Sequence, residues 1–532
     1  MAYRIQIGQA IRDEVAGWDF RRLLSQVMCP NIGTAGGQSL REYGAMFFHP
    51  EEREKLDADI AGFKAACKIP PLIVSDMESG PGDMVKGAAR FPTFMGLSQT
   101  GDSELAYEVG RIAATEAGEI GYNWTFSPVA DMAIEQDSPV VGARSAGHLP
   151  EQIVGMAGAY MRGLQDNGMM ATIKHFPGDG FTTWDQHLTT PVIPLSREEW
   201  LAGPGRVFRE LIAEGVMAVM PGHIALPAFD EPDERGLYPP ATVSKRLLVD
   251  LLRGELGFEG LIVSDAITMG GIVGYMNYYD ACALTIENGC DVLLFPRVDE
   301  RFYAEMESRL DNGMLTMAAL RDRAARIVAL KAQMGLLAGA ASDKAGDGGK
   351  QAVDRQHNLE VARRASDACI TVVRDREGTL PLSLGHGTRV LHAVVMNNPD
   401  RYSALYARLA EALRQRCGHV DQWIDPGPDR LFDAANDGGY DLILCSIGSQ
   451  LSYGLNVIRL HDEVARNMMG GWMKLGTPVV FVSHYHPFVH KEYEASIDTI
   501  VNTYGDIEFT AGLLVAKLAG ELPIGRVLRA HD

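Results

Sequence analysis

The stretch of the sequence that is richest in reactive side chains is KHFPGDGFTTWDQHLTTP, residues 174–191, which glycine and proline interrupt. Asp185 and His187 are two residues apart, so in extended or turn geometry the carboxylate can hydrogen-bond the imidazole and raise its basicity. Such a pair is a candidate general acid/base, although this fragment alone is also typical of a surface Asp–His contact. The titratable side chains of the stretch are Lys174, His175, Asp179, Asp185 and His187.

A second candidate is Asp265, which ends the apolar run GLIVSD and precedes a helix-like segment containing Gly270 and Gly271. A carboxylate held at the end of a strand can attack an anomeric carbon and form a covalent intermediate. Aspartate is also a common helix N-cap, and this is the more frequent role at such a position. The pattern therefore leaves a nucleophile and a helix cap both open.

Short apolar runs alternate with helical periodicity through the first two thirds of the sequence, which indicates βα units and a parallel sheet. Six or more such units within about 330 residues predict a (β/α)8-type TIM barrel. The apolar runs lie at 71–79, 123–132, 169–178, 216–224, 260–269 and 290–297, with helices expected at 102–121 and 197–215. A barrel would collect on one face the polar residues that end these runs: Asp76, Asp131, Lys174 with His175, His223 and Asp265.

The segment at 338–355 is rich in small and polar residues, which predicts an exposed linker. We expect it to join a catalytic barrel at 1–337 to a second domain at 356–532. Five further apolar runs separated by helical stretches predict that this second domain is an α/β/α sandwich. The chain is thus expected to be an α/β protein, a TIM barrel followed by a smaller sandwich.

The composition excludes several classes of protein. A formal net charge of -20 argues against a nucleic-acid partner. The seven cysteines show no Cys-x-x-Cys spacing, which favours reduced thiols over disulfides or a zinc site. No apolar run approaches the about 18 residues of a membrane helix, and no signal peptide is visible. These features predict a cytoplasmic protein without a membrane partner, and they leave a homo-oligomer open.

Several segments resemble, in the right order, those of glycoside hydrolase family 3. VSDAITM resembles the nucleophile segment, and KHFPGDG followed by DQHLTTP resembles the loop that marks the β-N-acetylglucosaminidase branch. FSPVADM with VVGARSAG, VSDMESGPG and MPGHIALP resemble further family segments, so the similarity covers residues 70–300 well. The resemblance implies a retaining exo-β-glycosidase that acts on a small carbohydrate through a covalent glycosyl-enzyme, without a metal or organic cofactor.

The resemblance also implies roles for individual residues. Asp265 matches the nucleophile, His187 the acid/base group and Asp185 the partner of that histidine. His223 matches a histidine at a strand end that is structural rather than catalytic. The residues that match contacts of the terminal sugar are Asp76, Arg144, Lys174 and His175. The second domain is expected to lend no general acid, although Arg459 could contact the substrate.

Two departures from the family pattern leave the substrate open. Asp179 stands where the family loop has a second histidine, and the segment after Asp76 lacks the arginine of peptidoglycan-recycling members. A β-N-acetylglucosaminidase-like enzyme is the first hypothesis, with water or phosphate as acceptor, because a neutral imidazole repels an anion less than a carboxylate does. An exo-β-glycosidase for another sugar, such as a β-glucosidase, a β-xylosidase or an enzyme for a modified sugar, is the second. A non-catalytic sugar-binding protein is the third.

Overall fold

The computed structural model describes residues 2–35, 42–337, 353–449, 453–454 and 458–527. Its contacts divide the chain into two compact units, which we call the barrel unit and the sandwich unit. The barrel unit comprises Met1–Ala89, Ala106–Ile134 and His148–Arg355, and the sandwich unit comprises Arg90–Leu105, Glu135–Gly147 and Gln356–Asp532. The predicted linker at 338–355 lies almost wholly outside the described residues, so the predicted domain boundary stays a prediction.

Eight short parallel strands form the sheet of the barrel unit. They are β1 (Met28–Cys29), β2 (Ala45–Phe47), β3 (Leu72–Ser75), β4 (Trp124–Thr125), β5 (Thr172–Phe176), β6 (Ala218–Pro221), β7 (Leu261–Ile262) and β8 (Leu293–Leu294). Ladders join β2 to β3 and β4, and β5 to β6 and β7, while single bridges such as that between Val263 and Val292 connect the ladders. Because β8 pairs with β1, the sheet closes on itself, and the predicted (β/α)8-type barrel is confirmed.

The barrel strands are buried on both faces, since one face fills the interior and the other packs against helices. Every residue of β3 and of β5 is buried, including the polar Lys174 and His175. The six apolar runs of the sequence contain β3 to β8. The strands β1 and β2 are absent from the sequence prediction, because two or three residues give too little pattern to read.

The helical periodicity also matches the structure, with one interruption. The helix expected at 102–121 is Ser103–Gly118, whereas Gly203 divides the stretch expected at 197–215 into two helices. Pro204 begins the second of them, since proline has no N–H to donate and fits the first turn of a helix. The helices of the barrel unit include Gln9–Ala16, Phe20–Gln26, Ile32–Ala35, Arg53–Ala66, Pro150–Asp166, Arg197–Ala202, Pro204–Ala213, Arg246–Glu255, Gly270–Val273, Tyr278–Glu287, Glu300–Asp311 and Met317–Gln333.

The sandwich unit contains a seven-stranded sheet. Its strands are β9 (Thr371–Asp375), β10 (Arg389–Met396), β11 (His419–Ile424), β12 (Leu442–Ser449), β13 (Val479–Tyr485), β14 (Thr499–Asn502) and β15 (Gly525–Arg526). The order across the sheet is β11, β10, β12, β13, β14, β9, β15, and only β9 and β14 pair antiparallel among the described strands. The helices of this unit include Phe94–Gln99, Arg355–Cys369, Ser403–Arg414, Pro428–Asn436, Asp462–Arg466 and Thr510–Leu518.

Side chains of β10 alternate between two buried faces of this sheet. Leu391 and Val395 belong to one apolar cluster, whereas Val394 and Met396 belong to another. Burial on both faces requires a helical layer on each side, which confirms the predicted α/β/α sandwich. The five predicted runs overlap β9, β10, β12, β13 and β14. The edge strand β11 is missing from the prediction because half of the residues of HVDQWI are polar and the strand is partly exposed.

Two further features concern the whole chain. All seven cysteines are free thiols, and six of them are buried. Burial raises the pKa of Cys67, the only one that is partly exposed, to about 11, so its reactive thiolate form is disfavoured. No helix among the described residues is both long enough and apolar enough to cross a membrane.

Four buried histidines of the sandwich unit predict a loss of stability in acid. Burial lowers the pKa of His392 to about 3 and the pKa of His484, His486 and His490 to about 4. Because the folded-state pKa is depressed, stability is complete above the unfolded-state pKa near 6.5 and falls as the pH drops toward the folded value. Each such histidine contributes a slope of roughly 1.4 kcal/mol per pH unit in that window.

The measurement is the free energy of unfolding in urea between pH 7 and pH 4.5. We expect it to fall steeply below about pH 6.5, and His392→Gln should make the slope shallower. His419→Gln is the matched control, since the His419 side chain is 57% exposed and should leave the slope unchanged. A free energy that is flat between pH 6.5 and pH 4.5 would contradict this prediction.

Candidate active site

The carboxyl ends of the barrel strands bring together most of the side chains singled out in the sequence. Asp76 follows β3, Lys174 and His175 lie within β5, and Asp265 comes shortly after β7. Because neighbouring strands run parallel, these residues share one end of the barrel. Direct contacts within this end join them into a single cluster of charged groups.

Asp265 is a carboxylate held in its ionised form. Its Oδ1 accepts a hydrogen bond from the backbone N–H of Ala266 (2.7 Å), and its Oδ2 lies 3.8 Å from Nε2 of His175. Burial alone would raise the pKa of Asp265, but the charges of His175, His223 and His187 together hold this pKa below its ordinary value. The side chain is 13% exposed, so an ionised oxygen that a bound molecule can reach is available as a nucleophile.

The hydrogen bond predicted between Asp185 and His187 is present. Nδ1 of His187 lies 2.6 Å from Oδ1 of Asp185, and the same oxygen accepts the backbone N–H of His187 (2.8 Å). The carboxylate is fully buried, whereas the imidazole is 25% exposed. Since Asp185 holds the proton on Nδ1, Nε2 becomes the nitrogen through which His187 can exchange a proton with a bound molecule.

The loop of this dyad is tied to the segment that follows Asp265. The backbone N–H of Gly270 donates to the carbonyl of His187 (2.8 Å), and that of Gly271 donates to the carbonyl of Gln186 (3.0 Å). A Cβ added at Gly270 would lie 2.3 Å from the carbonyl oxygen of Leu188, so only glycine permits this approach. The backbone thus fixes the histidine loop against the strand end that carries the aspartate.

Lys174 joins two carboxylates at the other side of the cluster. Its Nζ lies 2.8 Å from Oδ1 of Asp76 and 2.7 Å from Oε1 of Glu78. Lys174 is buried, while the Asp76 side chain is 36% exposed and can meet a ligand. Glu78 was not among the predicted site residues. The available signal was its Asp-x-Glu spacing to Asp76 at a strand end.

Asp131 organises the segment around His175, a role that the sequence alone did not assign to it. Its Oδ2 lies 2.7 Å from Nδ1 of His175, and its Oδ1 accepts the backbone N–H groups of His175 (2.9 Å) and Asp179 (2.7 Å). Asp131 is fully buried. By fixing the Nδ1 proton, it directs Nε2 of His175 toward Asp265, 3.8 Å away. Asp179, which replaces a family histidine, is also buried.

Asp131→Asn is expected to lower kcat/KM by about tenfold to a hundredfold, the factor that corresponds to losing one hydrogen bond to a charged group. The amide keeps the shape of the side chain but removes the charge that orients His175. Expressed as a free energy, the loss in kcat/KM should exceed the loss in the free energy of unfolding that the unfolding midpoint reports. The matched control is Asp230→Asn, a buried aspartate that bonds Ser244 instead. Equal effects of both changes on activity would contradict the prediction.

Of the remaining predicted residues, one serves the framework of this cluster and the others belong to the sandwich unit. His223 is fully buried, and its ring bonds the Thr242 hydroxyl (2.8 Å) and the carbonyl of Ala266 (3.0 Å), as a structural histidine would. Arg144 belongs to the sandwich unit, where it donates to the carbonyl of Val140 and its guanidinium lies 5.2 Å from the Tyr453 ring. Its role in sugar binding therefore stays a prediction.

Arg459, the possible substrate contact predicted from the second domain, lies in the sandwich unit, where it pairs with Asp137. Its contact with a substrate likewise stays a prediction. Within the ranges that the structure describes, no group of three or more His, Cys, Asp or Glu side chains could hold a metal ion.

Comparison with known proteins was made by sequence and by structure. The model of the glycosyl hydrolase family 3 N-terminal domain matches residues 43–330. A beta-N-acetylglucosaminidase/beta-glucosidase of Cellulomonas fimi is 31% identical over 495 residues, which cover 88% of this chain and 84% of the relative. A beta-hexosaminidase of Neisseria meningitidis is 34% identical over 257 residues, 47% of this chain and 68% of the relative.

Solved structures agree with these relatives. The beta-glucoside phosphorylase BglX has a TM-score of 0.85 and 27% identity, covering 96% of this chain and 93% of that one. A family 3 beta-N-acetylglucosaminidase from Paenibacillus sp. has a TM-score of 0.79 and 25% identity, covering 96% of this chain and 100% of that one. With a family match over more than half of its residues and a cluster of acidic and basic groups at the barrel strand ends, the chain belongs to glycosyl hydrolase family 3 and is a retaining glycoside hydrolase.

Proposed function

We propose that Asp265 is the nucleophile and His187 the acid/base group of a β-N-acetylglucosaminidase-like exo-β-glycosidase. Asp265 attacks the anomeric carbon while Nε2 of His187 gives its proton to the departing oxygen. Water, losing a proton to the same nitrogen, then attacks the glycosyl-enzyme and releases the sugar with its β configuration retained. Asp185 stabilises the imidazolium that forms at each protonation of His187.

The observation that carries this proposal is the pair of backbone hydrogen bonds between the Asp185–His187 loop and Gly270–Gly271. It holds the loop that carries the imidazole against the segment that directly follows Asp265. A helix cap would not require this arrangement. A surface Asp–His contact would not require it either, and the Asp185 carboxylate is fully buried.

Binding of the terminal sugar is assigned to Asp76, Lys174 and His175, together with Arg144. A polyhydroxyl ring needs short directional partners, and bonds to charged groups are the stronger ones. The ion pairs of Lys174 with Asp76 and Glu78 hold these side chains in place for sugar hydroxyls. Sugar contacts that strengthen toward the transition state raise kcat as well as affinity.

A second candidate is a phosphorylase, in which phosphate replaces water in the second step. Two observations favour it: the similarity to a beta-glucoside phosphorylase, and an acid/base group that is a histidine, which is neutral once it has given up its proton, where most retaining enzymes have a carboxylate. A neutral base repels an incoming phosphate less than a carboxylate would. The similarity to this phosphorylase also supports a β-glucoside as an alternative substrate to a β-N-acetylglucosaminide.

The test is a panel of p-nitrophenyl β-glycosides (N-acetylglucosaminide, glucoside and xyloside) assayed with and without inorganic phosphate. If kcat/KM is highest on the N-acetylglucosaminide, the proposal is supported. If kcat/KM is highest on the glucoside or xyloside, the enzyme is an exo-β-glycosidase for that other sugar. A glycosyl phosphate product identifies the phosphorylase. Binding of these sugars without turnover of any glycoside in the panel would mean a non-catalytic sugar-binding protein.

We also propose that the enzyme works in the cytoplasm on a small carbohydrate. The seven cysteines support this location, because all are free thiols and such thiols persist in a reducing compartment.

A further inference from the structure

A cluster of arginines surrounds one buried carboxylate at the end of the barrel opposite the catalytic cluster. Asp291 has no exposed side-chain surface, and its oxygens lie 2.8 Å from Arg253, 3.1 Å from Arg326 and 3.8 Å from Arg323. Burial alone would raise the pKa of Asp291, but the three guanidinium groups hold this pKa below its ordinary value. Arg323 also pairs with Asp322 (2.9 Å), so the three arginines face two negative charges.

The excess positive charge affects the pKa of Arg253. Burial lowers the pKa of Arg253 to about 10, and the nearby Arg326 and Arg323 lower it further against the attraction of Asp291. Arg253 and Arg326 also donate to the carbonyl of Gly260, which fixes both side chains. Rigid guanidinium groups whose charge is not balanced by the protein are suited to an anion from solution.

These two arginines form part of the wall of a cavity of about 550 Å³ in the barrel unit. Its charged lining consists of Arg4, Arg12, Arg253, Arg326, Glu259 and Asp322. Four positive and two negative side chains give the lining a formal charge of +2, within a chain whose formal charge is -20. The volume is within the range of about 300–1,000 Å³ that is typical of small-molecule sites.

The position of the cavity separates it from the catalytic site. Gly260 precedes β7, whereas Asp265 follows the same strand, so the two sites lie at opposite ends of the barrel. Arg12 contributes an exposed guanidinium that makes no ion pair or hydrogen bond with any residue the structure describes. Arg4 is 67% exposed and pairs with Glu259. Both side chains line the cavity and are exposed, so both can reach an anion bound there.

We propose that this cavity, formed by Arg4, Arg12, Arg253 and Arg326, binds a small anion that carries a phosphate group. The planar fork of arginine donates paired hydrogen bonds to phosphate oxygens, and the formal charge of the lining matches a phosphate dianion. A cavity of this volume has room for a phosphorylated small molecule as well as for inorganic phosphate. The site is independent of the proposed glycosidase activity.

The test is isothermal titration calorimetry with inorganic phosphate at constant ionic strength, on the full chain. Arg4→Gln/Arg12→Gln changes only exposed side chains and leaves the ion pairs of Asp291 in place. We expect the dissociation constant for phosphate to rise at least tenfold in this double variant. Arg246→Gln/Arg301→Gln is the matched control, since both arginines are exposed in the same unit and the change in net charge is equal. It should bind phosphate as the unaltered chain does.

His187→Ala separates this site from any phosphate bound in the catalytic pocket. Phosphate binding that survives His187→Ala and is lost in Arg4→Gln/Arg12→Gln supports the proposal. Phosphate binding that disappears in His187→Ala belongs to the catalytic pocket and overturns it. Equal dissociation constants for the double variant and the unaltered chain, or no heat of binding up to 20 mM phosphate (about the weakest affinity worth assigning to a site), would also overturn it.

Discussion

Replacing Asp265 with alanine is expected to reduce turnover by roughly four orders of magnitude or more while the protein remains folded. Without this carboxylate no covalent glycosyl-enzyme can form, and the reaction loses the route that the two-step mechanism provides. The fold should survive, because the side chain accepts its hydrogen bond from its own neighbour, the N–H of Ala266. The measurement is kcat/KM on the best glycoside of the panel, beside the unfolding midpoint.

A matched control separates catalysis from helix capping, the alternative interpretation of this aspartate. Asp299 is an N-cap whose side chain accepts the N–H of Phe302 and begins the helix Glu300–Asp311. Asp299→Ala should cost about 1 kcal/mol of stability and leave kcat/KM unchanged. If Asp265→Ala behaves in the same way, Asp265 is a cap and not the nucleophile.

Chemical rescue adds a readout that a structural role would not produce. In Asp265→Ala, azide can occupy the space of the missing carboxylate and attack the anomeric carbon of an activated β-glycoside directly. The product is then an α-glycosyl azide, because a single displacement inverts the configuration. Near-normal turnover by folded Asp265→Ala, without azide, would contradict the assignment.

The barrel and much of its catalytic end could be predicted because both depend on local pattern. A buried parallel strand needs a continuous apolar run, and a polar residue that ends such a run lies at the functional face of the barrel. The run that ends at Asp265 contains β7, and the run that ends with Asp76 contains β3. The Asp185–His187 hydrogen bond was likewise predictable, since the two residues are separated by one position.

The contacts that the sequence does not reveal join residues far apart in the chain. Asp131 and His175 are 44 positions apart, and Lys174 and Asp76 are 98 apart. Hydrophobic periodicity contains no information on which strand ends meet. In the sequence, Asp131 therefore cannot be distinguished from the many aspartates that only cap a helix. The sequence does not reveal the arginine cavity for the same reason, since Arg12 and Arg326 line one cavity but lie near opposite ends of the amino-acid sequence of the barrel unit.

Arg144 illustrates a different limit. Its chain position, between two barrel strands, suggests a barrel loop, yet the segment Glu135–Gly147 groups with the sandwich unit. Contacts within that unit explain the grouping: a Cβ added at Gly142 would lie 2.8 Å from Nε2 of His486, and Arg459 pairs with Asp137. Sequence periodicity cannot assign a loop without regular structure to a unit, because such a loop carries no pattern of its own.

His187→Ala is expected to harm glycosides with poor leaving groups far more than those with good ones. A departing alkoxide needs the proton of His187, and general acid catalysis is typically worth about 10²–10⁴ in rate. A 2,4-dinitrophenolate needs little protonation, so its release in the first step should slow by less than about tenfold. The glycosyl-enzyme then accumulates, because no base is left to activate water in the second step.

The decisive measurement is kcat/KM against the leaving-group pKa for the unaltered enzyme and for His187→Ala. The slope should be steeper in the variant. Azide needs no base, so it should restore turnover and give a β-glycosyl azide, since two displacements retain the configuration. Asp185→Ala should give a milder form of the same pattern, because it removes only the group that orients the imidazole.

His148→Ala is the control, since His148 is an exposed histidine of the same unit and should change neither slope nor product. Parallel slopes for the enzyme and His187→Ala, with no azide product, would contradict the assignment of His187. The acid/base group would then have to be sought at Asp179, at His175 or among the carboxylates of the sandwich unit. Of these, His175 already lies 3.8 Å from Asp265 with its other nitrogen held by Asp131, so its loss should weaken nucleophilic attack whatever the leaving group. The dependence on leaving group therefore distinguishes the two histidines, which a simple loss of activity would not.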